Sequence, residues 1–153
     1  MSEMDATDRQ LVFLLQQDSR LPNAQLAEKL NISASACWRR VKALEQAGVI
    51  KRYAAVVDPK AMGLGFAAMV HVHLTRHDAS ALASFIRAIQ SRTEVTECFA
   101  TTGQADYHLR VLCRDIDAYN AFLESFLFLH PAVNSATTNV ILRQIKSDAP
   151  ITC

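Results

Sequence analysis

The sequence predicts an α+β chain in two parts: an N-terminal helix-turn-helix module, then a ferredoxin-like unit with the order βαββαβ. Three observations predict it. Residues 23–53 read as two short helices, a tight turn between them, and a basic strand. At Phe66 the apolar spacing changes from helical to alternating. From there strand-like and helix-like stretches follow in the order strand, helix, two strands about a glycine turn, helix, strand.

Asp5 or Thr7 can cap the first helix, and Thr7 with Gln10 has the spacing of a capping box. That helix runs to about Gln17 and buries Leu11, Leu14 and Leu15; Leu21-Pro22 breaks the pattern. Asn23 caps a second helix with the stripe Leu26, Ala27, Leu30. Asn31 tolerates the left-handed turn that follows. Ser33 caps the third helix and Gly48 ends it. Ile50–Val57 is strand-like, and Asp58-Pro59, Gly63 and Gly65 punctuate a linker.

Phe66–Leu74 alternates as a strand. Ala79–Ser91 places Leu82, Phe85, Ile86 and Ile89 on one helical face. Val95–Thr101 and Tyr107–Cys113 are strands about a turn at Gly103–Ala105. Asp115 caps a helix that buries Tyr119, Phe122, Leu123 and Phe126, and His130-Pro131 ends it. Val133–Ile145 is the last strand, followed by an irregular tail in which Ile151 is a candidate for packing.

Composition narrows the function. The 153 residues carry a net charge of +1, with half of them hydrophobic. Residues 1–57 hold eight Lys/Arg against six Asp/Glu, and the remainder eight against nine. Five of the first eight lie between Arg39 and Arg52, where Glu45 is the lone acid. A local basic patch on a near-neutral chain points to a polyanion surface. Cys37, Cys98, Cys113 and Cys153 form no CxxC pair, so free thiols in a reducing cytoplasm are expected. No apolar run approaches the roughly 20 residues of a membrane span.

The third helix carries the sharpest chemistry. At 100° per residue, Cys37, Val41 and Leu44 face the module, while Ser35, Arg39, Lys42 and Gln46 face away. Such a helix reads the major groove of double-stranded DNA. Arg39 can fork to guanine. Ser33 and Ser35 sit at the end of the helix that meets base edges and phosphates first. Lys42 suits a phosphate or a base, and Lys51 and Arg52 suit the backbone beside the groove. Trp38 is either a packing residue or a contact to sugar or thymine methyl. Arg40, nearer the packed side, serves a phosphate or pairs with an acid inside the module. Cys37 is read as a small core residue.

The segments DATDRQLVFLLQQDSR, SASACWRRVKALEQAGVIKRYAAVVDP, TTGQADYHLRV and NVILRQIK together resemble the Lrp/AsnC, or feast/famine, family of transcriptional regulators over nearly the whole chain. Ala34 and Ala36 stand where the family often has prolines. The resemblance implies a winged helix-turn-helix domain over residues 1–53, a linker over 54–65, a ferredoxin-like effector-sensing and oligomerisation domain over 66–146, and a tail over 147–153. It implies homodimers built through the C-terminal domains and often assembled into octamers, with a small amino acid as effector and no cofactor. The effector loop corresponds to Gly103, Gln104, Asp106 and Tyr107, with Gln104 where many members have an acid. The setting implied is the cytoplasm, in association with the nucleoid.

An amino-acid receptor needs an acceptor for the ammonium, donors for the carboxylate and a side-chain pocket. Asp106 suits the first role and the Gly103 backbone N–H the second. Thr101, Thr102, Thr137 and Thr138 offer hydroxyls. The plainer alternative is that Gly103-Gln104 is only a hairpin turn and Asp106 only bonds its backbone. His71, His73 and His108 share a sheet face, but Arg110 shares it too and opposes a metal cation, so a subunit interface or solvent is expected there and no metal. Sirohaem decarboxylases look like this family, yet no nucleophile, base and orienter assemble here, so no catalytic residue is assigned. The reading is a sequence-specific DNA-binding regulator responsive to a small amino acid; the alternatives are a DNA-wrapping nucleoid protein and, less favoured, such an enzyme.

Overall fold

The chain divides into two units, one formed by the segments up to Val56 and from Lys146, the other by Val57–Ile145. The structure is a computed structural model and describes residues 4–75 and 79–152; Cys153, expected as a free thiol, lies outside them.

The first unit contains α1 (Ala6–Gln17), α2 (Asn23–Lys29) and α3 (Ala34–Gln46). Asp5 caps α1 by accepting a hydrogen bond from the Asp8 N–H at 2.8 Å. That is the cap, in place of the Thr7–Gln10 box. α2 begins at Asn23 with Pro22 in the cap position and no side-chain cap, so Asn23 is the first helical residue and does not cap from outside. Proline is suited to this place because its N–H is not missed there. Asn31 turns the chain at φ 53°, and Gly48 leaves α3 at φ 71°. Leu11, Leu15, Leu26, Ala27, Cys37, Val41 and Leu44 form the core of this unit, with Leu14 and Leu30 only partly buried at its edge. Burying each of the larger side chains stabilises the module by about 1.5–3 kcal/mol.

The expected strand over Ile50–Val57 forms no ladder among the described residues. Alternation makes a segment eligible to be a strand, but a strand also needs a partner for its N–H and C=O groups. The tail returns to the first unit: Gln16 accepts from the Ile151 N–H at 2.8 Å and donates from Nε2 to its carbonyl at 3.0 Å. Ile151 is thus held by its backbone, while its side chain stays exposed.

The second unit contains β1 (Phe66–Leu74), α4 (Ala79–Gln90), β2 (Val95–Ala100), β3 (Tyr107–Cys113), α5 (Ile116–Phe122) and β4 (Val133–Val140). A π-helical turn, Leu123–Leu127, continues α5. The sheet is antiparallel in the order β2-β3-β1-β4. This is the ferredoxin-like arrangement, with the first and third strands central. Ala68, Val70, Val72, Leu109, Val111 and Cys113 point to one side and pack with Phe85, Ile89, Tyr119, Phe122 and Leu127 from the helices.

Leu82 and Ile86 remain 37% and 38% exposed, against the expectation that all four apolar residues of α4 are buried. The helix meets the sheet along one narrow line, which Phe85 and Ile89 occupy. Leu123 and Phe126 are likewise only partly buried. The last strand stops at Val140, short of Ile145: Ile141 still donates to the Ala67 carbonyl at 2.8 Å, but the chain then leaves the ladder. Leu142 and Ile145 are 95% and 82% exposed.

Candidate nucleic-acid interface and ligand site

α3 gains its geometry from both ends. The Ser33 hydroxyl accepts from the Ala36 N–H at 3.2 Å and lies 3.2 Å from the Ser35 hydroxyl. Ser33 is therefore committed to the cap, with Ser35 alongside. Cys37, Val41 and Leu44 anchor the opposite side, so Ser33, Ser35, Arg39, Lys42 and Gln46 are exposed together. Lys51 and Arg52 are exposed beyond the helix.

The two adjacent arginines differ. Arg40 Nη1 lies 2.8 Å from Asp5 and 2.7 Å from Asp8, so it joins α3 to the start of α1. These bonds hold the Arg40 guanidinium above its ordinary range, the Asp8 bond being the larger cause. The Asp5 carboxyl is held below its ordinary range, first by the Asp8 N–H and then by Arg40. Arg39 makes no ion pair with any described residue and stands exposed. Of the two roles open to Arg40, its geometry fits the pair inside the module.

Lys42 is tethered, not free. Its Nζ lies 2.8 Å from Glu45, whose other oxygen accepts from the Tyr53 hydroxyl at 3.0 Å. Lys42 and Tyr53 lower the Glu45 pKa, while burial and the Glu45 charge raise that of Tyr53. Trp38 is 52% exposed and lines, with Leu15, Leu21, Val41 and Tyr53, a surface cavity of about 270 Å³. It packs with one edge and shows the other. Sequence spacing gave no sign of the Tyr53–Glu45–Lys42 chain, because Tyr53 reaches α3 only through the turn after Gly48.

In the second unit, the β2–β3 turn is exposed from Thr101 to Gln104. Gly103 sits at φ 120°, and a Cβ placed on it meets nothing within 4 Å. The glycine is required by the backbone and faces open space. Asp106 knits three places together: its carboxylate accepts from the Leu74 N–H at 2.8 Å, its N–H donates to the Val72 carbonyl at 3.0 Å, and its carbonyl accepts from the Thr101 N–H at 3.1 Å. The Thr101 hydroxyl donates to the Ala105 carbonyl at 3.1 Å. Asp106 thus ties the turn to the end of β1, and one carboxylate oxygen already has a partner.

The other candidates scatter. Tyr107 turns its ring to the core, edge-on to Phe85 at 5.4 Å. Thr138 pairs with Val70 on the helix side and bonds the Tyr119 hydroxyl. Thr137 is exposed on the other side, opposite His71. Within one chain, Thr101, Gly103, Gln104 and Asp106 come together, while Thr137 and Thr138 point to opposite faces.

Among the described residues, no helix of this unit packs on that other sheet face. Its centre is a contact between His71 and His108, cross-strand partners whose Nδ1 atoms lie 2.6 Å apart. Arg110 is paired by Glu97 at 3.2 Å, which offsets its charge, and donates to the Gln144 amide oxygen at 2.8 Å. Its Nε is buried and has no acceptor among the described residues. No group of three or more His, Cys, Asp or Glu positioned for a metal occurs among the described residues. Cys37 and Cys113 are buried thiols, and burial raises the pKa of each. No helix of the described residues is long and apolar enough to cross a membrane.

Comparison with known proteins agrees with this architecture. Residues 4–51 match a winged helix-turn-helix DNA-binding family, and residues 67–151 match the Lrp/AsnC ligand binding domain. The transcriptional regulator AzlB of Bacillus subtilis is 32% identical over 139 residues, covering 91% of this chain and 88% of that protein. The leucine-responsive regulatory protein of Escherichia coli is 31% identical, covering 94% and 88%. Among solved structures, a transcriptional regulator from Neisseria meningitidis in complex with L-Met superposes with a TM-score of 0.93 at 34% identity, covering 97% of this chain and 96% of that one. AsnC of Escherichia coli superposes with a TM-score of 0.87 at 28% identity, covering 95% and 96%. Both halves, their order and their fold coincide, and the chain belongs to the Lrp/AsnC family of DNA-binding transcriptional regulators.

Proposed function

We propose that this regulator binds pseudo-palindromic DNA as a homodimer and changes its hold on that DNA when a small amino acid binds near the β2–β3 turn. The observation that carries the DNA half is the exposed row Ser35, Arg39, Lys42 and Gln46, presented by a helix whose opposite side is packed. Arg39 reads a base, Ser33 and Ser35 meet the DNA at the helix N-terminus, and Lys51 and Arg52 hold phosphates. Lys42 reaches the backbone by leaving Glu45. Trp38 contacts sugar or a thymine methyl with its open edge. Arg40 acts by holding α3 against α1.

The effector half rests on the open space before Gly103, on the ligand-binding domain that the C-terminal unit matches, and on the bound L-Met of the Neisseria relative. The Gly103 backbone meets the carboxylate and Asp106 the ammonium. Gln104, neutral where an acid is common, tunes which amino acid is accepted. Thr101 stays structural, Tyr107 supports the turn from the core, and Thr137, on the open sheet face, belongs to the contact between copies. Because Thr138 faces the helices, it supports the sheet only. The dimer forms through the helix-free face of the sheet, and dimers associate into octamers. An effector acts only through unequal affinity for two arrangements of such an assembly.

A thermal-shift screen of the twenty amino acids, paired with DNA titrations, tests the reading. Stabilisation by one or a few, with altered DNA affinity, is expected. If none stabilises and DNA affinity never changes, the DNA-wrapping role replaces the sensor.

A further inference from the structure

Glu45 is the one acid in the basic stretch from Arg39 to Arg52, a single helical turn from Lys42 and on the flank of the outward row. A carboxylate there repels the phosphates that the lysines and arginines around it attract. Its two oxygens are divided. One takes the Lys42 ammonium at 2.8 Å, and the other accepts from the Tyr53 hydroxyl at 3.0 Å. The two sides of the ion pair are not equally fixed, because the Lys42 side chain is 50% exposed and that of Glu45 28%. Tyr53 lines the surface cavity beside Trp38 and Val41, so the bond that it donates anchors Glu45 to the module. Lys42 can therefore leave while Glu45 stays, its charge still bonded by Tyr53.

A lysine held in this way is not equally available to all DNA. Coulomb attraction falls with distance and is screened by salt over about 10 Å. Lys42 gives up a carboxylate at 2.8 Å only for a phosphate that comes as close. A site whose bases suit Arg39 seats α3 in the groove and sets the neighbouring phosphates at fixed places. DNA held by general attraction alone offers no phosphate at a fixed place, and the ammonium stays with Glu45.

We propose that Glu45 is a specificity-determining residue, which withholds Lys42 from DNA that does not seat α3 and yields it to a phosphate of DNA that does. The inference rests on the reading of α3 as the helix that enters the groove, and adds an internal competitor for one of its contacts. Specificity is a difference between two affinities, and Glu45 acts on the weaker one.

The test uses the full chain, a duplex selected from random sequences for tight binding, and a scrambled duplex of the same length. Fluorescence anisotropy gives both affinities over a series of salt concentrations. Glu45→Gln is expected to bind the scrambled duplex about threefold or more tightly, with a slope of log affinity against log salt steeper by about one, and to gain much less on the selected duplex. Lys42→Ala is expected to weaken the selected duplex severalfold and the scrambled one much less. In the double variant Glu45→Gln/Lys42→Ala the gain on the scrambled duplex disappears, because it comes through the freed lysine. A gain equal on both duplexes, or one that survives the loss of Lys42, makes Glu45 only a repelling charge and overturns the proposal. No gain, with Lys42→Ala still selective, overturns the competitor but leaves the groove reading of α3. Lys42→Ala without effect on either duplex overturns the proposal together with the phosphate contact on which it rests. Should Glu45→Gln not fold, Lys42→Ala decides alone: equal loss on the two duplexes overturns the proposal.

Discussion

Arg40, nearer the packed side of α3, places its guanidinium nitrogen 2.7 Å from the Asp8 carboxylate of α1. Its neighbour Arg39 keeps no such partner among the described residues. One helical step, about 100°, separates a side chain aimed outward from one that braces the helix.

Arg39→Ala and Arg40→Ala are therefore expected to fail differently. Arg39→Ala costs about 1–3 kcal/mol on the specific site and much less on unrelated DNA, with an unchanged melting temperature. Arg40→Ala lowers the melting temperature, and its DNA binding falls equally on all sequences. Competition gel-shift with parallel thermal melts checks both; a melting temperature unmoved by Arg40→Ala ends the bracing role.

Acid should loosen the same brace. The Asp5 carboxyl is held below its ordinary 3.8 by the Asp8 N–H and Arg40. A depressed folded value means the stabilisation is complete above the unfolded value and lost as pH falls through the folded one. Stability of the DNA-binding unit should decline below about pH 4. Asp5→Asn keeps a capping oxygen but cannot ionise, so its stability–pH curve should be flatter there. Urea unfolding at a series of pH values reads the difference.

Ser33 has two roles that one substitution can separate. Ser33→Ala removes the cap on α3 and should destabilise by about 0.5–2 kcal/mol. Ser33→Asp restores the cap yet places a negative charge where DNA approaches. Recovered stability with still weaker DNA binding is expected, from melts and fluorescence anisotropy.

Gly103 tests the turn. Its φ of 120° lies where side chains are strained, although the space beside it is open. Gly103→Ala should cost about 1–3 kcal/mol through the backbone alone. If the alanine protein is as stable as wild type, measured by urea denaturation, the turn is relaxed enough to move on ligand binding.

The core of the sensing unit sets a reference for these changes. Leu109 is fully buried between sheet and helices. Leu109→Ala should cost about 2–5 kcal/mol by chemical denaturation. A cost below about 1 kcal/mol would mean that the helices close over the gap.

The sequence by itself determined what local chemistry can specify. Period, caps and turns placed α1, α3 and the βαββαβ order, since Ser33, Asn31, Gly48 and Gly103 act on their nearest backbone. The outward row through Arg39 followed from helical geometry alone. Tertiary structure decided everything that needed a partner distant in the chain. Arg40 could have met phosphate or acid until folding brought Asp5 and Asp8 beside it. The strands expected beyond Ile50 and Val140 lacked the ladder partners that alternation cannot supply. Asp106 became an anchor for β1 because Leu74 happened to offer an N–H there. And His71 and His108, 37 residues apart, became one proton-sharing pair only when β1 met β3 in register. Short-range forces act along the chain and can be read from it; the register of a sheet and the pairing of charges depend on the fold as a whole.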